Sequence, residues 1–356
     1  MGAVIASGTA AAERALLAVM LAALESDGPV QELNERATAA EETLLAVGRR
    51  HRLTPLVSVT LGNRLPPGFA GAARRDRLLT AARNLLLGQA AEECLRAFTD
   101  AGVPTIVLKG IAYERSLYSP DGSRPTADVD ILVPMEARRP AFAVLDRLGF
   151  EPRAAAPGFD DDDYHEVAWN RGDVEVDLHL ALAPFARCRI DYRDVWARAT
   201  EIRVGATAAR ALDLHHAAVF HALHMAIDHF DVPALYLVDL SRQLAAPNAF
   251  EAAEAIARAW GCWRPFATAV ALADTFLPVW RDSHPPRAVP GFAGEVVTGY
   301  GPIAPLPRSR QLMRKILHFD DPMTAFRYVA VQARRNAHEL VERRIRKRSP
   351  RERLAL

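Results

Sequence analysis

Acidic side chains alternate with apolar ones along two short segments of this 356-residue chain. Asp128 and Asp130 are two residues apart, so a β-strand would place both carboxylates on one face. The same period places Glu175, Asp177 and His179 on one face of a later strand. If the two strands are neighbours, three or four carboxylates meet, and their mutual repulsion is unfavourable unless a cation lies among them. The pattern therefore indicates a site for a divalent cation.

The chemistry of such a site follows from its ligands and from the cations that precede it. Carboxylate oxygens at this density favour Mg²⁺, or Mn²⁺, over zinc. Magnesium completes its shell with water and phosphate oxygens, so cationic neighbours suggest phosphoryl or nucleotidyl transfer. Lys109 and Arg124 could neutralise phosphate charge, and Gly110 would let the backbone approach a phosphate. We interpret these three residues as nucleotide-binding.

A compact mixed α/β unit is predicted to position these residues. Helical and strand-like patterns follow one another, with turn residues between them. The pattern predicts a helix over about 78–101, a strand over 103–108, a helix to 118, a strand over 128–133, a helix over 136–148, and two strands around a turn at 170–173.

The order of these motifs is more specific than any one of them. The stretch LKGIAYERSLYSPDGSRPTADVDILV at 108–133, followed by a helix and by VEVDLHL, resembles the uncharacterised nucleotidyltransferase family of the DNA polymerase β-like superfamily. The core of the resemblance covers about 78–182, and Leu-Val-Asp-Leu at 237–240, which contains Asp239, is similar to a later helical signature of the family. Lys109 and Gly110 occupy the place of the superfamily's usual Gly-Ser turn.

The resemblance implies both a fold and a reaction. Asp128, Asp130 and Asp177 would be the catalytic, metal-ligating carboxylates on a small mixed sheet. A nucleoside monophosphate would pass from an NTP donor to an acceptor hydroxyl, with two Mg²⁺ ions holding the triphosphate and pyrophosphate leaving. From the residues alone, Glu175, His179 and Asp239 could support these groups or orient the acceptor, although an exposed strand face explains Glu175 and His179 as well. The resemblance does not identify the acceptor, which could be a small molecule, a peptide, a protein or RNA.

The predicted fold class is α+β, with a nucleotidyltransferase core between two helical parts. We expect an N-terminal helical region at 1–74, the core at 75–183, and a C-terminal helical domain with a basic tail at 184–356. Half of the residues are hydrophobic and 24% are charged, which excludes wholesale disorder. The net charge of +1 gives no global attraction to nucleic acid. Three widely spaced cysteines, and no apolar stretch of transmembrane length, predict a cytoplasmic protein without a membrane partner.

Two other functions stay open at this point. Five histidines and Asp228 lie within 215–229, and His221, His224 and Asp228 share one helix face, which could be the metal site of a phosphohydrolase, although packing explains them as well. The segment 334–356 has nine basic and three acidic residues, so the chain could instead be a catalytically silent module that binds a nucleotide, RNA or a protein. No aromatic residue lies within that tail, and we favour a solvated tail over nucleic-acid contact.

Overall fold

The computed structural model of the protein describes residues 2–26, 30–153, 165–184, 188–277, 280, 289–300, 308–327 and 329–330. The helices α1 to α13 span Gly2–Glu25, Val30–Arg50, Thr54–Leu61, Pro67–Asp100, Lys109–Leu117, Arg138–Arg147, Tyr192–Arg198, Leu214–Ile227, Leu235–Gln243, Ala249–Trp260, Trp263–Phe276, Gly294–Gly299 and Arg308–Leu317. The strands β1 to β7 span Ile106–Val107, Val129–Leu132, Glu151–Pro152, Glu166–Arg171, Val174–His179, Thr200–Val204 and Thr207–Ala211.

The seven strands form one mixed sheet in the order β3-β4-β5-β2-β1-β7-β6. Strands β2 and β5 run parallel at its centre, and β1 and β7 are also parallel, whereas the other neighbours are antiparallel. Apolar side chains of β2 and β5 are buried on the face opposite the acidic residues. The predicted fold class, a small mixed sheet flanked by helices, is confirmed.

The long helix α4 begins earlier than the sequence pattern indicates. Pro67 occupies its first turn, where the missing N–H of proline costs no hydrogen bond. The helix ends as predicted, because Gly102 adopts φ +67° and its N–H donates to the Thr99 carbonyl. Helix α4 therefore crosses the predicted boundary between residues 74 and 75.

The region 184–356, predicted as a C-terminal helical domain, also contains two strands of the sheet. Strands β6 and β7 form a hairpin that turns at Gly205, where φ is +61°, and β7 pairs with β1 through Ala211 and Val107. Side chains on this hairpin alternate between exposed and buried positions only in part, so its period-2 signal is weak in the sequence. The sheet thus extends 28 residues beyond the predicted end of the core at residue 183.

One apolar core joins the three predicted regions. Buried side chains from the N-terminal helices, the sheet and the C-terminal helices belong to a single contact cluster, for example Leu17, Ile131 and Phe266. No helix among the described residues has the length and apolar character needed to cross a membrane.

Candidate active site

The register of β2 and β5 brings the two acidic segments together. Asp130 lies opposite Asp177 on the neighbouring parallel strand, and Leu132 lies opposite His179. Asp128 immediately precedes β2, at the start of the strand. The predicted neighbourhood of the two strands is therefore confirmed, and their carboxylates lie along one face of the sheet.

Three carboxylates lie close enough to share a metal ion. One oxygen each of Asp128, Glu175 and Asp177 lies within 4.8 Å of the other two. Burial, reinforced by the charge of Asp130, raises the pKa of Asp128 to about 7 and that of Asp177 to about 6. Burial is the main cause of both shifts, and the nearby charge of Lys109 partly offsets them. Glu175, expected behind the site, belongs to this closest set.

Asp130 differs from this set because two polar side chains contact its carboxylate. The Lys109 Nζ lies 2.8 Å from Asp130 Oδ1, and the His179 Nε2 lies 3.0 Å from the same oxygen. Burial alone would raise the pKa of Asp130, but Lys109 and His179 hold it well below its usual range. The second oxygen, Oδ2, is buried and has no hydrogen-bond partner among the described residues. Such an orphaned oxygen beside the three other carboxylates fits a further metal contact.

Arg124, predicted to contact the nucleotide, lines the cleft but forms an ion pair with Asp239. Its Nε and Nη2 donate to the two carboxylate oxygens of Asp239 at 2.9 and 2.8 Å, and both side chains are buried. Tyr118 also donates to Asp239, at 2.7 Å. The Nη1 of Arg124 donates to the Gly110 carbonyl at 3.3 Å, so the pair supports the turn that carries Lys109. Asp239 thus fixes the position of Arg124, which in turn contacts the turn beside the cleft.

Gly110 lies where the chain passes closest to the carboxylate strand. A Cβ at this position would stand 2.6 Å from the Thr126 Cγ2 and 3.6 Å from the Asp128 carbonyl oxygen. Only glycine allows the first turn of α5 to approach the segment before β2 this closely. The close neighbour of Gly110 in the structure is protein, and the predicted approach of its backbone to a phosphate stays a prediction.

The helical regions supply the opposite wall of a cleft of about 230 Å³ over the carboxylates. Arg52 comes from the turn between α2 and α3, His224 and Asp228 from the end of α8, and Tyr236 from α9. Burial, with an added contribution from Lys109, holds the pKa of His224 well below its ordinary value, so its imidazole is neutral at pH 7. No local sequence pattern marks Arg52 or Tyr236, because more than 70 positions along the chain separate each of them from Asp128.

His216 and His221 on α8 have structural hydrogen-bond partners, one at the start of α8 and one on α9. His216 bonds the capping residue Asp213, and His221 Nε2 donates to the Tyr236 carbonyl at 2.9 Å. Among the described residues, no set of three potential ligands on this helix is close enough to hold a metal ion. The basic tail at 334–356 lies outside the described residues, so its role stays a prediction.

Comparison with known proteins places the chain in a family. Residues 38–278 match the family described as "Uncharacterised nucleotidyltransferase". This chain belongs to that family. The match confirms the resemblance inferred from the sequence motifs, and it extends into both helical regions. Nucleotidyl transfer by an enzyme is the activity that this membership supports.

Solved structures show weaker similarity to this nucleotidyltransferase, and no curated protein matches its sequence. A crystal structure of ANT(2")-Ia in complex with adenylyl-2"-tobramycin is 14% identical, with a TM-score of 0.36 over 48% of this chain and 97% of that chain. A solution structure of the antibiotic-resistance factor ANT(2'')-Ia is 15% identical, with a TM-score of 0.36 over 55% and 97%. An antigenic nucleotidyltransferase-like protein from Paracoccidioides brasiliensis is 12% identical, with a TM-score of 0.35 over 56% and 90%.

Proposed function

We propose that this enzyme uses Mg²⁺ to transfer a nucleoside monophosphate from an NTP to an acceptor hydroxyl, with release of pyrophosphate. One observation carries the proposal: an oxygen of each of Asp128, Glu175 and Asp177 converges beside a cleft that Lys109 and the buried Asp130 also line. Carboxylates alone would repel a triphosphate, so the arrangement requires a cation. Mn²⁺ suits the same oxygen ligands and is a second candidate.

The residues present fit the metal. Asp128, Asp177 and Glu175 supply closely spaced oxygens, and Asp130 adds the unpartnered Oδ2. A bound Mg²⁺ would neutralise phosphate oxygens and lower the pKa of an acceptor hydroxyl. Burial, with a smaller contribution from the charge of Asp130, raises the pKa values of Asp128 and Asp177, and a bound cation would favour their ionised forms.

The side chains of the cleft then have separate tasks. The acceptor oxygen attacks the α-phosphorus, its bond to phosphorus forms, and the bond from the α-phosphorus to the bridging oxygen of the β-phosphate breaks. The carboxylate of Asp177 accepts the proton of the acceptor hydroxyl. Lys109 and His179 hold Asp130 ionised and fixed, so its free oxygen keeps its direction. Pyrophosphate carries away the electron pair of the broken bond.

Transfer assays with doubly labelled donors test this proposal. ATP, CTP, GTP and UTP carrying an α-phosphate label or a γ-phosphate label would be incubated with Mg²⁺, the protein itself and extracts of small molecules, peptides and RNA. We expect the α-label in an acceptor and the γ-label in pyrophosphate, both lost in Asp128→Asn. Release of the γ-label as orthophosphate would indicate a phosphohydrolase instead. Nucleotide binding without any turnover would favour a silent binding module.

The compartment is part of the proposal. Cys94 and Cys262 are buried free thiols and Cys188 is unpaired. Unpaired thiols are typical of a reducing environment, which supports a cytoplasmic enzyme.

A further inference from the structure

The turn after α2 has an arginine where the backbone favours glycine. The Arg52 N–H donates to the Arg49 carbonyl at 3.0 Å, and the Leu53 N–H donates to the Gly48 carbonyl at 2.8 Å. These two bonds form a Schellman motif, whose left-handed position is usually glycine or asparagine. Arg52 occupies that position with φ +57°. A side chain retained at a conformational cost points to a task for that side chain.

The side chain of Arg52 lies in the cleft described above. It is half-buried and lines the cleft together with Asp128 and Tyr236. The guanidinium of Arg52 is therefore close enough to the carboxylate strand to act on the same ligand.

Arg52 differs from the two other cations of this cleft. Lys109 is neutralised by Asp130, and Arg124 is neutralised by Asp239. Within the part of the chain that the structure describes, the Arg52 side chain forms neither an ion pair nor a hydrogen bond. An unpaired, partly desolvated guanidinium beside a cluster of carboxylates is free to bind an anion.

We propose that Arg52 binds the β- and γ-phosphates of the donor nucleotide, an inference that rests on the proposed nucleotidyl transfer. The carboxylates and bound Mg²⁺ would offset only part of the charge of a triphosphate, and an unpaired guanidinium beside them can offset more. The planar guanidinium can donate two parallel hydrogen bonds to phosphate oxygens. The N-terminal helical region, predicted to be separate from the core, thereby supplies part of the donor site. Helix α2 also ends here, and the negative end of its dipole favours a cation at this position.

Replacement of Arg52 by glycine separates this role from a structural one. Arg52→Gly removes the guanidinium and relieves the left-handed backbone, so the melting temperature should stay unchanged or rise. Binding of inorganic tripolyphosphate and of ATP, measured with Mg²⁺ by calorimetry, should weaken by about 10- to 100-fold, as expected for a lost charge-assisted hydrogen bond. Binding of AMP should change little. Asn248→Gly is the matched control, because Asn248 also has a positive φ, +61°, and does not line the cleft.

The outcomes are distinguishable. If wild-type protein binds ATP and Arg52→Gly binds ATP and tripolyphosphate equally well, the phosphate role of Arg52 is overturned while the proposed function stands. If the wild-type protein binds no nucleoside triphosphate, both proposals fail. Should Arg52→Gly not fold, Arg52→Asn gives the same comparison, since asparagine tolerates this backbone. Equal loss of affinity for AMP and ATP would also contradict a contact with the β- and γ-phosphates.

Discussion

The acidic residues on β5, on β2 and just before β2 are chemically different from one another. Asp130 is buried, ionised and held by Lys109 and His179, whereas Asp128, Glu175 and Asp177 are partly exposed and lie within ligand distance of one another. A lysine between carboxylates offsets part of their repulsion before any substrate arrives. We interpret Asp130 as the fixed member around which the others are arranged.

Removal of single carboxylates should therefore have graded effects. Asp128→Asn and Asp177→Asn each delete a ligand charge and should reduce transfer by about 1,000-fold or more, because metal coordination supplies several kcal/mol of charge stabilisation. Glu175→Gln should reduce transfer by about 10- to 100-fold, mainly by weakening metal binding. This loss is smaller because Arg153 forms an ion pair with Glu175 at 3.6 Å and already offsets part of the effect of its charge. Steady-state rates over a range of Mg²⁺ concentrations measure both effects.

The matched control for these variants is Asp173→Asn, since Asp173 is exposed in the turn between β4 and β5. Its activity should equal that of the wild type. Wild-type turnover in Asp128→Asn or in Asp177→Asn would remove the metal assignment.

The sequence was informative about residues that follow a local period and uninformative about distant pairs. The alternation at Asp128 and Asp130 predicted a shared face because strand geometry is local. Arg124 was interpreted as a phosphate ligand because its partner, Asp239, lies 115 positions away. No local pattern distinguishes a buried, paired arginine from an exposed one. Arg52 was missed for the same reason.

At the scale of elements, the contact between α5 and the segment before β2 is a steric constraint on the site. Gly110→Ala would push a Cβ into Thr126, next to Asp128, and should lower transfer by about tenfold or more while changing stability less. The added Thr126→Ser change removes the Cγ2 methyl group and should restore most of the activity. A double-mutant cycle on initial rates measures the coupling. Additive losses in the double variant would show that Gly110 acts through something other than this contact.

The Arg124–Asp239 pair connects the loop before β2 to α9. Asp239→Asn leaves the Arg124 charge buried without its partner and should destabilise the fold by about 3–5 kcal/mol. Replacement of both residues, Arg124→Met with Asp239→Leu, should cost much less, because apolar groups of similar size need no counter-charge. Urea unfolding measures both variants. Equal destabilisation by the single and double changes would contradict a charge-pairing role.

Helices and strands with a long or regular sequence pattern could be predicted, and short strands with a weak pattern could not. The helix and strands of the core were recognised because capping glycines and alternation mark their ends. The hairpin of β6 and β7 was missed because its strands have five residues each and a weak burial alternation. Its pairing with β1 depends on contacts a hundred positions apart, which no local pattern contains.

At the scale of the whole molecule, buried neutral histidines make stability depend on pH. Burial lowers the pKa of His221 from 6.5 to about 4. Between these values the unfolded chain binds a proton that the folded chain rejects, so the free energy of unfolding should fall as the pH drops from 6.5 towards 4. His221→Gln keeps a donor for the Tyr236 carbonyl and should flatten this dependence. Urea titrations at several pH values measure the slopes, and identical slopes in both proteins would contradict the assignment.

The shared apolar core affects how the catalytic unit can be divided into the three predicted regions. Apolar side chains from 1–74, from 75–183 and from 184–356 pack in one cluster, and the family match spans 38–278. The cleft takes its cations from both the N-terminal region and the core. We therefore expect the enzyme to require its helical regions for activity.

Metal-dependent binding of the donor tests the central claim most directly, because it needs no acceptor. Calorimetry would compare non-hydrolysable α,β-imido analogues of the four NTPs, in Mg²⁺ and in EDTA, with wild-type protein and with Asp128→Asn. The account predicts that at least one analogue binds in Mg²⁺, and that both EDTA and Asp128→Asn abolish binding without lowering the melting temperature. Binding that persists unchanged in EDTA and in Asp128→Asn, or no binding with either Mg²⁺ or Mn²⁺, would contradict it.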